Sequence, residues 1–137
     1  MIKRIVTAIL LAPTCVAAQA SGPLTVELNK LESGEGSGCR AYFLFRNQSG
    51  MSFEALEISL ALLGTNGVID RLVTVDASPL PAARTTLKLF EFPETDCNGL
   101  SEILLHEIGS CKPQNRDETD CFELIELDSK AAVPLVK

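Results

Sequence analysis

Histidine is almost missing from this chain: His106 is the only one in 137 residues. Any Ser-His-Asp chemistry would rest on it alone, and no serine lies in a nucleophile-elbow motif. Methionine is as scarce, with Met51 the only one beyond the first residue, so no Met/His cluster of the copper-carrying kind exists. A P-loop, a dinucleotide-binding glycine fingerprint and a His-Glu-x-x-His pair are all absent. Past residue 20 no run approaches the ~20 apolar residues of a spanning helix. Positive charge is short as well, 12 Lys and Arg against 18 Asp and Glu, which disfavours nucleic acid and anionic membrane surfaces as partners. There is no internal repeat and no low-complexity segment. The expectation is a protein that is not an enzyme and needs no cofactor.

What is present begins with "MIKRIVTAILLAPTCVAAQASGP". Lys3 and Arg4 form a short basic start, and Ile5 to Ala12 an apolar stretch too short to span a membrane. Ala18-Gln19-Ala20 supplies the small-x-small pattern whose side chains fit the signal-peptidase pocket, so cleavage is expected between Ala20 and Ser21. Lys3-Arg4 is not a twin-arginine pair, which points to the general secretory route. Thr14 before Cys15, and Leu11 one place too far upstream, argue against lipidation; Cys15 leaves with the signal. The short basic start looks bacterial, and the protein is expected to be periplasmic or secreted. Losing Lys3 and Arg4 takes the formal charge from −6 to −8. Residues 21–128 form one expected domain, and residues 129–137 a loosely held tail.

Four cysteines remain, Cys39, Cys97, Cys111 and Cys121; an even count in an exported chain implies two disulfides with three possible connectivities. Between them run short alternating segments split by turn residues, the pattern of an all-β sandwich of about seven strands. Leu24, Val26 and Leu28 alternate with polar neighbours. In "CRAYFLFRN", Ala41, Phe43 and Phe45 share one face while Tyr42 and Leu44 hold the other, as in a strand inside its sheet. Leu56, Ile58, Leu60 and Leu62 form one face of the next. "GTNG" is a hairpin signal because Asn and Gly tolerate positive φ. "ASPLPAA" carries two prolines that forbid a ladder and mark a crossing between sheets. "RTTLKLFEF" is a strand, "LSEILLHEI" leans to strand over helix, and "CFELIELD" closes the domain.

The succession of "YFLFRNQSG", "ISLALLGTNGVI" and "PLPAARTTLKLFEF" resembles small bacterial extracytoplasmic immunoglobulin-like domains of the FxLYD type, over roughly Leu24 to Ile108. The family's Phe-x-Leu-Tyr-Asp signature is absent and the four cysteines are an addition. The resemblance implies an immunoglobulin-like antiparallel β-sandwich, a binding or scaffolding role, and no catalytic residues. In such a strand order, Cys39 at the start of one strand lies beside Cys97 after its neighbour. The implied bridges are then Cys39–Cys97 and Cys111–Cys121.

Candidate sites converge on "LLHEIGSCKPQNRDETDC". His106 with Asp117, Glu118 and Asp120 is the one constellation that suggests a small-ligand or metal-ion site. Zinc sites use close thiolate pairs, whereas nine residues separate Cys111 from Cys121 and export favours their oxidation. As a strand residue, His106 is expected to share a face with Leu104 and Ile108. "DETDCFELIELD" lacks the central glycine of a calcium loop and sets Phe122, Leu124 and Ile125 where ligands should be. Glu91 and Glu94 have no cleft-forming insertion to make them an acid-base pair. "NQS" at Asn47 fits a glycosylation sequon that is incidental in a bacterial protein. The leading expectation is a binding module that contacts another envelope protein, through a strand edge or the acidic C-terminal region; the alternative is a ligand binder at His106.

Overall fold

In the computed structural model, residues 8–14, 22–34 and 36–137 are described. Cys15 and the expected cleavage site at Ala20 and Ser21 lie outside them. The strand that reads apolar on both faces, β2 (Cys39–Asn47), is an interior strand as its composition requires. Its neighbours are β1 (Leu24–Ser33) and β5 (Arg84–Phe92), and β7 (Ile125–Ser129) completes the first sheet in the order β5-β2-β1-β7. The second sheet has the order β4-β3-β6-β8, from β3 (Phe53–Gly64), β4 (Ile69–Asp76), β6 (Leu100–Pro113) and β8 (Leu135–Val136). The fold is an all-β two-sheet sandwich. Its pairings are antiparallel except β1 with β7 and β6 with β8, which are parallel.

Two local signals act as read. Asn66-Gly67 turns β3 into β4, with Gly67 at φ +75° where a side chain would be strained. The proline-bearing stretch carries the chain from β4 in the second sheet to β5 in the first. Alternation then decides what meets in the middle. Phe43 and Phe45 of β2 and Leu56, Ile58, Leu60 and Leu62 of β3 are all buried, with Leu24, Leu28, Phe92 and Ile103 around them. Both bridges form, Cys39–Cys97 and Cys111–Cys121. The first ties the start of β2 to the one-turn 3₁₀ helix Cys97–Gly99 that leads into β6; the second ties the end of β6 to the chain before β7.

The C-terminal segment differs from expectation. Residues 129–137 are not loosely held: Val133 and Leu135 are buried, and β8 pairs with β6. The Lys137 ammonium donates to the Phe122 and Ile125 carbonyls at 3.2 and 2.5 Å, and Ile103 N–H donates to Pro134 O at 3.0 Å. Two apolar side chains and a terminal cation suffice to pin a stretch whose composition shows no strand period. Cys121 also does not open the last strand. Phe122–Leu124 form a 3₁₀ turn, and β7 starts at Ile125.

The open edges carry inward-pointing cations. Arg71 of β4 is in register with buried Leu62, and Lys88 of β5 with buried Phe43. Arg71 Nη1 donates to Pro93 O at 2.6 Å, and Lys88 Nζ to Ser78 O at 3.1 Å. A charge directed inward on an edge strand obstructs the addition of a further strand. The opposite edges are short, with five residues in β7 and two in β8. The sandwich therefore protects its edges.

Candidate functional site

The residues singled out in the sequence do not assemble. In β6 the register slips so that Leu105 faces Leu60 and Glu107 faces Ser59, leaving His106 opposite no residue of β3. Leu104 pairs with Ala61 and Ile108 with Ile58, so these two point to opposite faces. The expected shared face of His106, Leu104 and Ile108 is corrected by this bulge, which inserts one unpaired residue. His106 is exposed. Asp117 and Asp120 line an open cleft with Met51, Arg116 and Thr119, without His106. Glu118 Oε1 accepts from Ser110 Oγ at 2.8 Å, and Asp120 Oδ1 from Phe122 N–H at 3.0 Å. These carboxylates serve local turns. Among the described residues no group of three or more His, Cys, Asp or Glu is arranged to hold a metal ion. The core offers a cavity of about 10 Å³ between Phe43, Phe45, Leu60 and Leu105, about one water in size.

Asn47, the sequon residue, proves structural. It is 2% exposed. Its Nδ2 donates to the carbonyls of Met51, Pro81 and Leu80 at 2.8, 3.2 and 3.3 Å, while its Oδ1 accepts from Ser49 Oγ at 2.6 Å and Ser49 N–H at 3.2 Å. One amide thus joins the loop after β2 to the crossing between sheets. The sequence signal that could have found it is an Asn ending an interior strand two residues before a Ser, an Asx-type turn.

The outward face of the first sheet is laced with ion pairs, although Glu126 of β7 makes none among the described residues. Glu27, only 3% exposed, faces Arg46 at 3.3 Å and accepts from Asn29 Nδ2 at 3.1 Å. Glu32 meets Lys30 at 2.6 Å and Arg40 at 3.6 Å, Arg40 also pairs with Glu91, and Lys130 reaches Asp128 at 3.2 Å. Hydrogen bonds from Lys30 and then from Tyr42 hold the Glu32 carboxyl below the usual range, and Lys130 does the same for Asp128. Between these pairs stand Leu87 and Leu89 of β5, about half exposed. Arg46→Ala is expected to cost about 1–2 kcal/mol, below the 3–5 typical of a broken buried pair because Arg46 is half in water. Chemical denaturation of the variant checks this, and the double variant Arg46→Ala/Glu27→Gln should recover most of the loss.

The outward face of the second sheet is different. Leu72 of β4, Ala61 of β3, Leu104 of β6 and Val136 of β8 stand opposite one another in register. Leu72 is 60% exposed, while Ala61 is covered by its larger neighbours. Nearby carboxylates are acids without cations. Among the described residues Asp76, Glu102 and Glu107 make no ion pair; Asp76 is instead held below its usual range by Ser78, whose Oγ donates to it at 2.6 Å.

The fold and its bridges define a class, a disulfide-stapled all-β sandwich of two four-stranded sheets. No family model matches the chain, and no curated protein matches its sequence. Among solved structures, IrmA from Escherichia coli is similar in fold, with a TM-score of 0.58 at 15% identity, over 77% of this chain and 90% of that one.

Proposed function

We propose that this is an exported, non-enzymatic binding or scaffolding module of immunoglobulin-like type that acts through protein–protein contacts in the cell envelope, in the periplasm or outside the cell. The observation that carries the reading is the large apolar side chains left on both outward faces: Leu72 at 60%, Leu87 at 53% and Leu89 at 48% exposure. Leu87 and Leu89 stand two residues apart on one face of β5 and form a small apolar group of the kind that marks contact surfaces. Export is supported by the two bridges, which persist in oxidising compartments, and by Ile9, Leu10 and Leu11, which stand 82–94% exposed instead of joining the core. No helix among the described residues is long and apolar enough to cross a membrane. The FxLYD-type resemblance agrees in role.

The test is gentle affinity isolation of the oxidised protein from its own cells, scored by the polypeptides that co-purify. The double variant Leu72→Ser/Leu87→Ser is expected to lose them, and His106→Ala to keep them. Loss with His106→Ala alone would reject the contact-surface reading in favour of a ligand site at the histidine.

A further inference from the structure

We propose that the outward face of the first sheet docks a segment of a partner protein that carries apolar side chains followed by an acidic one. The proposal rests on the binding-module reading and names its surface and its chemistry. Pairing of β2 with β5 sets Leu44 opposite Leu87 and Tyr42 opposite Leu89. Alternation turns all four outward, away from the core that holds Phe43 and Phe45. Two adjacent rows on two adjacent strands are therefore apolar. Leu87 and Leu89 are 53% and 48% exposed, and Tyr42 and Leu44 are half-buried. Neighbouring strands lie ~4.8 Å apart and the two rows ~7 Å apart, so the four side chains form one patch. The second sheet has no equivalent, because the row of Leu72 is bordered by Thr74, Ser59 and Glu107.

The two ends of the patch differ in charge. At one end Arg40 pairs with Glu91 and Glu32, which closes it. The other end opens into a recess of about 740 Å³ whose lining includes Arg46, Gln48, Gly50, Ala83, Arg84 and Thr85. Thr85 lies opposite Arg46 in the row next to Leu87 and Leu44, so recess and patch are continuous. Acids outnumber cations 18 to 12 in the chain, yet no carboxylate lines this recess. Arg84 is exposed and makes no ion pair among the described residues. Arg46 meets Glu27 through Nη2 at 3.3 Å, and its Nε and Nη1 have no partner among the described residues. Glu126, the unpaired acid of this face, stands two strands from Arg46 across Thr25 and outside the recess. The N–H groups of Gly50 and Ala83, at φ +77° and +55°, also make no hydrogen bond among the described residues. Two guanidiniums and open backbone donors suit a carboxylate, and the adjoining leucines suit apolar side chains beside it. A free anion would use the recess and leave the patch bare, so their continuity selects a peptide segment.

The experiment uses the full oxidised domain and a synthetic peptide of alternating leucine and serine that ends in two glutamates. Backbone amide shifts are followed as it is added, with a peptide ending in two lysines as control. Saturable shifts are expected at Tyr42, Leu44, Leu87 and Leu89 and at residues 48–50 and 83–85, with none from the control. Arg84→Gln should weaken binding several-fold and flatten its salt dependence; the side chain is exposed, so folding is unaffected. Leu87→Ser should weaken it roughly tenfold, and Leu72→Ser should leave it unchanged. Equal binding of the lysine peptide, or no saturable binding, would overturn the surface. Inorganic phosphate that binds as tightly as the peptide would assign the recess to a free anion and overturn the partner segment. Concentration-dependent self-association that Arg84→Gln abolishes would put a second copy of this chain in place of a separate partner. Polypeptides that co-purify with Arg84→Gln and with Leu87→Ser, but not with Leu72→Ser, would overturn this surface and leave the binding-module reading standing.

Discussion

Replacing Cys39 and Cys97 together by alanine is expected to cost about 4 kcal/mol of stability and to lower the melting temperature by on the order of 15 °C. The bridge closes a loop of 58 residues, and by chain-entropy reasoning the stabilisation grows with the logarithm of that length. It also reinforces the end of the β2–β5 pairing, where Phe92 already lies opposite Cys39. β2 belongs to the first sheet, while the 3₁₀ turn at Cys97 delivers the chain into β6 of the second. Cys39 is fully buried, so truncation leaves a small void as well. For a domain whose net stability is ~5–15 kcal/mol, this is a large fraction. The Cys111–Cys121 bridge spans only ten residues and should contribute about 3 kcal/mol. Denaturant unfolding of the two paired variants, with the second bridge intact in each case, measures both. An unchanged midpoint in the Cys39→Ala/Cys97→Ala protein would show that β2 and the Cys97 turn are held together by other contacts.

Asn47→Ala should be nearly as damaging, at about 3 kcal/mol, and Asn47→Asp worse still. The alanine protein keeps part of the network. Leu80 O retains the Phe53 N–H at 2.9 Å, and Met51 O retains Ser49 Oγ at 3.3 Å. Pro81 O loses the Asn47 donor, and Ser49 N–H loses its acceptor, while the Ser49 hydroxyl keeps only its longer bond to Met51 O. An unsatisfied buried polar group costs about 1–3 kcal/mol, so the two orphaned groups, Pro81 O and Ser49 N–H, reach the stated figure. Aspartate keeps the shape but replaces the donor by a charged oxygen facing three carbonyls at a 2%-exposed site. Urea titration of wild type, Asn47→Ala and Asn47→Asp gives the ordering. Variants within about 0.5 kcal/mol of wild type, the ordinary range for surface changes, would mean that the amide does not organise the crossing.

Period and turn chemistry made much of this architecture legible. A strand with Phe on one face and Tyr and Leu on the other had to have neighbours on both sides, and β2 does. Asn66-Gly67 and the prolines around Leu80 are local devices that act within four residues, so the β3–β4 hairpin and the crossing to β5 follow from them alone. The resemblance to immunoglobulin-like domains implied the bridge pairing that the strand order delivers. What escaped depends on contacts distant in sequence. β8 exists because two buried side chains and Lys137 find partners on β6 and near β7, and nothing in "SKAAVPLVK" carries a strand period. His106 could not be placed because a bulge has no signature in an alternating run such as "LSEILLHEI". Asn47 looked like a glycan acceptor since the same three residues also describe a buried turn.

The most direct measurement is a native mass spectrum of the protein purified gently from its own compartment without reductant or chelator. The account predicts a chain starting at Ser21, lighter by the four hydrogens of its two disulfides and carrying a polypeptide partner. A stoichiometric metal or small organic molecule on the isolated chain, or four free thiols, would contradict it.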